Sequence, residues 1–348
     1  MEKYIELLKL LISVPSFSKE EENAAKIIRD FFTGEAIPFK SKQNNTWAYN
    51  KYFDKGKPTI LLNSHIDTVK PVKGYTLNPF APIEDGDKLF GLGSNDAGGP
   101  LVSLLAVFFH FYHRTDLPHN FIFAATAEEE ISGLNGLQIV LPEISPVDFA
   151  LIGEPTRMEL AVAEKGLLVL DCYAYGKSGH AARSEGQSAL YKAINDIEKL
   201  KNFRFEKISD TLGEVKITVT QIEAGTQHNV IPDFCHFVVD IRTNEHYSNQ
   251  EAYLIIDKLI DSEVKPRSFR LNSSGLDENH PFTQRIKSMG IKTYGSPTTS
   301  DQAIITFPSA KMGPGNSARS HTADEYIYKS EIIAGIERYI EILEGIKL

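Results

Sequence analysis

Imidazole and carboxylate side chains in this chain collect where apolar runs end. Thr59-Ile60-Leu61-Leu62-Asn63 leads into Ser64-His65-Ile66-Asp67, and Gly91-Leu92-Gly93-Ser94-Asn95 leads into Asp96. The run 121–126 leads into Glu128-Glu129-Glu130, and 149–152 leads into Gly153-Glu154-Pro155. A fifth segment, near 304–312, passes through Gly313-Pro314-Gly315-Asn316 to His321. Three adjacent glutamates repel one another unless a cation, a basic partner or water answers them. Imidazole and carboxylate without thiolate suit a hard or borderline divalent metal, zinc foremost. Two such ions about 3.5–4 Å apart, sharing a carboxylate, would polarise a substrate carbonyl. In His65-x-Asp67 the carboxylate stands where it can hold the second ring nitrogen of His65, fixing the tautomer and raising its basicity.

Taken singly, each residue has an ordinary explanation. Asp96 precedes a helix and could cap it; Glu154, before a proline, fits a turn. His110, His113 and His119 read as solvated or hydrogen-bonded histidines rather than ligands. The joint pattern carries the argument, because in open α/β sheets the site lies outside the carboxyl ends of the strands.

The elements that must position these residues follow from periodicity. Residues 1–33 read as two helices around a loop at Pro15-Ser16, with Leu7, Leu8, Leu11 and Ile12 at helical spacing. Continuous apolar strands at 59–63, 121–126 and 149–152, a mostly apolar helix at 101–112 and a buried strand near 304–307 predict a sheet covered on both faces. From about 165 the rhythm changes. Residues 166–175, 214–222 and 234–242 alternate as half-exposed strands, and helices fall at about 186–201 and around Leu254–Ile260. The expected fold class is therefore α/β: an open mixed-sheet catalytic domain with helices on both faces, in two parts (1–164 and 272–348). Between them an α+β, ferredoxin-like unit (165–271) is inserted.

With 348 residues, two domains are expected. A net charge of -9 without a Lys/Arg cluster argues against nucleic acid or an anionic membrane as partner. No apolar run reaches the roughly 20 residues of a membrane span, and the N-terminus lacks the basic start of a signal peptide. The expectation is a cytoplasmic protein whose Cys172 and Cys235 are reduced, semi-buried thiols.

These motifs resemble the dinuclear zinc amidohydrolase family that includes acetylornithine deacetylase, succinyl-diaminopimelate desuccinylase, glutamate carboxypeptidase and aminoacylase. The resemblance rests on Ser64-His65-Ile66-Asp67-Thr68-Val69, Gly91–Asp96, Thr126–Glu130, Ile152-Gly153-Glu154-Pro155 and Gly313–Asn316 with His321 and Asp324-Glu325. They occur in the family's order over nearly the whole chain. It implies two divalent ions, zinc with cobalt as a substitute: His65 and Glu154 on one, Glu130 and His321 on the other, Asp96 bridging. It makes Glu129 the general base, a choice that strand alternation leaves open among the three glutamates, and leaves Glu128 a supporting or solvated role. The inserted unit resembles the family's lid and dimer interface, implying a homodimer. His180, in Gly176-Lys177-Ser178-Gly179-His180, would reach the other subunit's site and stabilise the oxyanion. Asn229 and Arg242 would grip the substrate carboxylate, although a plain surface role for Arg242 stays open.

Departures from the family are Ala97-Gly98-Gly99 where many relatives have Met-Lys-Gly, and Arg319, whose charge near the site could favour a second substrate carboxylate. The implied reaction is hydrolysis of an N-acyl amino acid, nearest to deacylation of an acetyl- or succinyl-ornithine or an acylated citrulline in arginine biosynthesis. Succinyl-diaminopimelate desuccinylase, a general aminoacylase and a small-peptide peptidase share the ligand set. A non-catalytic dimeric binding relative is the alternative from another class.

Overall fold

In the computed structural model, which describes residues 1–348, four strands run parallel through the middle of one sheet. They are Asn120–Thr126, Thr59–His65, Phe149–Gly153 and Ser309–Met312, in that spatial order. Asn45–Tyr49 and then Lys40–Lys42 extend the sheet antiparallel on one side. Leu160–Glu164 meets Ser309–Met312 antiparallel on the other, at Lys311 and Ala161. The result is an open mixed sheet.

Its central strands are apolar throughout because both faces are covered. Ile60, Leu62, Phe121, Phe123, Phe149 and Leu151 pack in one core with the helices Glu2–Ile12, Glu22–Gly34, Gly99–Phe111 and Lys329–Leu343. The alternate residues Leu61, Ile122, Ala124, Ala150 and Ile152 pack in another with Leu137–Ile144. Each fully buried large aliphatic or aromatic side chain contributes about 1.5–3 kcal/mol. Gly99–Phe111 is apolar nearly all round, broken only by Ser103 and the exposed His110, as suits a helix enclosed by such layers. Parallel alignment sets His65 opposite Thr126, and Met312 opposite Gly153, so the chain leaves all four strands at the same sheet edge.

One strand lies elsewhere than the sequence placed it. Residues 304–307 form no strand; Asp301–Ile304 is a 3-10 turn and the strand is Ser309–Met312. Ile304, Ile305 and Phe307 pack against the second core from this turn, whereas the strand itself carries a buried Lys311 that breaks the apolar signature.

By contacts the chain forms two compact units, Met1–Val162 with Leu276–Tyr294 and Ser300–Leu348, and Ala163–Gly275 with Gly295–Thr299. The short return 295–299 joins the second unit because the Lys165 N–H donates to the Ser296 carbonyl and the Thr299 hydroxyl to the Lys165 carbonyl. That unit is an antiparallel sheet ordered Lys216–Ala224, Phe234–Arg242, Leu168–Tyr175, Glu263–Pro266. The last strand is too short and polar to show alternation in the sequence. Leu168, Leu170, Cys172, Phe237, Val239 and Ile241 form a core with helices Ala189–Asn202 and Asn249–Leu259. Ser188 caps the first helix, and Ser248 with Glu251 forms a capping box on the second. Cys172 and Cys235 are free and buried. No helix is long and apolar enough to cross a membrane.

Candidate metal centre

His65 is the last residue of its strand and is buried. Its Nδ1 lies 2.9 Å from the backbone oxygen of Asp67 and 3.5 Å from Asp67 Oδ1. Nε2 therefore points outward, 3.3 Å from Asp96 Oδ1, 3.9 Å from Glu129 Oε2 and 3.9 Å from Glu154 Oε1. Despite these approaches, His65 Nε2 and Glu154 Oε1 are buried and make no hydrogen bond. Two orphaned polar atoms aimed at one point are what a coordinating cation would satisfy.

Asp96 comes from the turn Ser94–Gly98 and faces two histidines, with Oδ1 toward His65 and Oδ2 3.7 Å from His321 Nε2. Glu130 Oε2 is 3.0 Å from His321 Nε2. The atoms of His65, Asp96 and Glu130 lie within 4.8 Å of one another, as do those of His65, Glu129 and Glu154. The centre thus holds all of His65, Asp96, Glu129, Glu130, Glu154 and His321.

Its electrostatics describe a place short of positive charge. Burial, followed by the neighbouring Asp96, pushes the Glu154 carboxyl up to about 8. Burial drives Glu129 well above the carboxylate range, with Glu154, Asp301 and Glu130 adding to it and His65 opposing. Burial also raises Glu130 against the pull of His321. Burial alone would lower His65, yet Asp67 and Asp96 hold it well above its ordinary value. The hydrogen bond that His321 donates to Glu130 lifts the imidazole to about 9. Clustered carboxylates that hold protons on their histidines fit divalent cations in those protons' place. Oxygen and imidazole donors without sulfur match such ions.

The loops are held by contacts that residue type and spacing did not show. The Asp67 carboxylate accepts from the Glu129 N–H at 3.0 Å, the Glu130 N–H at 3.1 Å and the Ser18 hydroxyl at 2.7 Å. It orients the glutamate turn as well as facing His65. Glu325, 2% exposed, accepts from the backbone N–H groups of Gly93, Asn95 and Asp96. Burial and the Asp96 charge push its carboxyl up to about 8 against the pull of those donors. Glu128, left-handed at φ 57°, accepts from Asn135 N–H and Nδ2 and so ties down its own loop. Gly313 is required by close approach, since a Cβ there would lie 2.5 Å from the Glu154 carbonyl oxygen. Asp301, beside Thr126 and Glu129, was missed altogether. An acidic residue just before the apolar residues Ile304 and Ile305 was its only sequence signal.

His180 and Asn229 belong to the second unit, where Gly179–His180 pairs with Val230–Ile231 and the Ala181 N–H donates to the Asn229 carbonyl. Two segments about fifty residues apart are thereby joined. Arg242 ends its strand with Nε and Nη2 on Asp240, and Nη1 3.2 Å from the Thr299 hydroxyl. Arg319 turns to Glu331, with bonds of 2.7 and 3.0 Å.

Comparison with known proteins agrees with this architecture. The model of "Peptidase family M20/M25/M40" matches residues 61–345. A [LysW]-lysine/[LysW]-ornithine hydrolase of Sulfurisphaera tokodaii is 27% identical, over 99% of this chain and 96% of the relative. A succinyl-diaminopimelate desuccinylase of Orientia tsutsugamushi is 26% identical, over 93% and 85%. Among solved structures, a dinuclear metal binding peptidase of Bacillus subtilis superposes with a TM-score of 0.74 at 18% identity, covering 98% of this chain and 97% of that one.

Proposed function

The chain belongs to peptidase family M20/M25/M40 and is a metal-dependent amidohydrolase; from that premise we propose that it hydrolyses the amide bond of an N-acyl amino acid. The observation carrying this reading is the joint convergence of His65, Asp96, Glu130, Glu154 and His321 around the raised carboxyl of Glu129. His65 and Glu154 would hold one zinc ion, Glu130 and His321 the other, and Asp96 both. Bound ions supply Lewis acidity, polarising the acyl carbonyl and acidifying water. Glu129 would take the proton of the attacking water and return it to the leaving amine. Asp67 holds the Glu129 backbone and the His65 ring.

His180 of one copy would donate to the oxyanion in the other, within a homodimer formed through the second unit. The exposed edge strand Lys216–Ala224 supports that assembly. Asn229 and Arg242 would receive the substrate carboxylate, Arg242 through Nη1, the nitrogen that Asp240 leaves unengaged.

Lysine, ornithine and diaminopimelate, named in the relatives' substrates, are all diamino acids. An acetyl- or succinyl-ornithine, or the corresponding acylated citrulline, is therefore the substrate proposed first, with succinyl-diaminopimelate second. Metal analysis followed by a deacylation screen over these compounds, with and without chelator, tests the reading. A protein that takes up no metal and cleaves none of them would refute it.

A further inference from the structure

We propose that Arg319 is a positioning residue for His321 rather than a receptor for a substrate carboxylate; the inference rests on the metal-centre reading above. Its Nη1 and Nη2 form a two-pronged bond with both carboxylate oxygens of Glu331, at 2.7 and 3.0 Å. Its guanidinium carbon lies 4.8 Å from the ring centre of Tyr326 and 4.9 Å from that of Tyr328. Glu331 is itself fixed, because it sits in the first turn of helix Lys329–Leu343 and accepts from the Tyr328 N–H. A guanidinium fork closed on one carboxylate and packed on two rings is not presented to another.

What this clamp holds is the short turn Ser317–Arg319, two residues before His321. His321 needs such help. Its side chain is 52% exposed and its backbone is left-handed at φ 57°, so its own packing does little to fix it. Downstream, Asp324 accepts from Thr76 and Leu77, and Glu325 from the backbone of the Asp96 turn. Upstream, the Arg319 backbone adds to the clamp, donating to the Asn316 carbonyl and accepting from the Thr322 hydroxyl. The imidazole is thus carried on a span tied at both ends.

The test is titration of chelator-stripped protein with Zn2+ by calorimetry, and with Co2+ by its visible spectrum. Wild type is expected to take two ions. Arg319→Ala and Glu331→Gln should each weaken one site on the order of 10-fold, the scale for losing a group that orients a ligand, and leave the other unchanged. Arg319→Lys, which keeps the charge without the fork, should weaken the same site. Excess metal should restore kcat with an unaltered KM. Coulomb's law alone predicts the opposite for Arg319→Ala, since removing a nearby positive charge favours cation binding. Circular dichroism shows whether each variant is folded, and Glu331→Gln repeats the test from the other side of the pair. The proposal is overturned if Arg319→Ala raises the acyl-substrate KM with both metal sites intact, or if Arg319→Lys matches wild type. A wild-type protein that binds no metal would overturn the metal-centre reading instead.

Discussion

Replacing Asp67 by Asn alters no volume and turns one buried oxygen into an amino group. The residue is 1% exposed. Its Oδ1 accepts from the Glu129 N–H, and its Oδ2 from the Glu130 N–H and the Ser18 hydroxyl. An asparagine can place its carbonyl oxygen at only one of these positions. Whichever way the amide turns, its NH2 then meets a backbone N–H, donor against donor, although the Ser18 hydroxyl can rotate to accept. One orphaned buried N–H costs about 1–3 kcal/mol, and the surviving bonds lose part of the about 1.5–3 kcal/mol that an ionised acceptor provides. The expected loss is about 3 kcal/mol, on the order of 100-fold in the folding equilibrium. The assay is urea unfolding in chelator, followed through Trp47, the single tryptophan, buried in strand Asn45–Tyr49 of the unit that holds the centre. Ser18→Ala removes one of these bonds and supplies an internal scale of about 1–2 kcal/mol. If Asp67→Asn shifts the midpoint no further than Ser18→Ala, Asp67 does not carry the glutamate turn and the argument fails.

Glu129→Gln should keep its metal and lose about 10²–10⁴-fold in kcat, the range of a general base; Glu130→Gln should weaken one metal site, and Glu128→Gln should remain active. Activity in Glu129→Gln together with an inactive, metal-replete Glu128→Gln would show the register to be off by one. Burial pulls His119 down to about 4, so as pH falls from about 6.5 the unfolded chain takes up a proton before the folded one. Stability present above pH 6.5 is lost toward pH 4, by about 3 kcal/mol, and pH-dependent urea curves of His119→Gln should lack that component of the wild-type slope. Burial raises the Cys172 thiol to about 12 and also raises Cys235, so a thiol reagent at pH 8 should label neither until the protein is denatured; rapid native labelling would contradict their burial.

Local chemistry made part of this protein legible from its sequence. A helix or a doubly covered parallel strand announces itself because its neighbours in sequence share its environment, and an apolar strand ending in His or Glu marks the sheet edge where a site forms. His65, Asp96, the run Glu128-Glu129-Glu130, Glu154 and His321 could therefore be picked out by residue type and by position after apolar runs, whereas the choice of Glu129 and Glu130 within that run came from the family resemblance. Periodicity failed where an element is short or breaks its own pattern. Ser309–Met312 hides a lysine inside the sheet, Glu263–Pro266 is too brief to alternate, and the apolar residues 304–307 pack from a turn.

The pairing of donors with acceptors was decided by the tertiary structure alone. Asp67 stands one residue from Ile66 yet bonds a turn more than sixty residues on. Glu325 reaches back some 230 residues to hold Asp96, and Arg319, which by charge and proximity pointed at substrate, closes on Glu331 instead. Residue type and spacing determine which groups need partners. A hydrogen bond or ion pair forms only where folding brings both ends within about 3 Å, and that closure depends on every element between them.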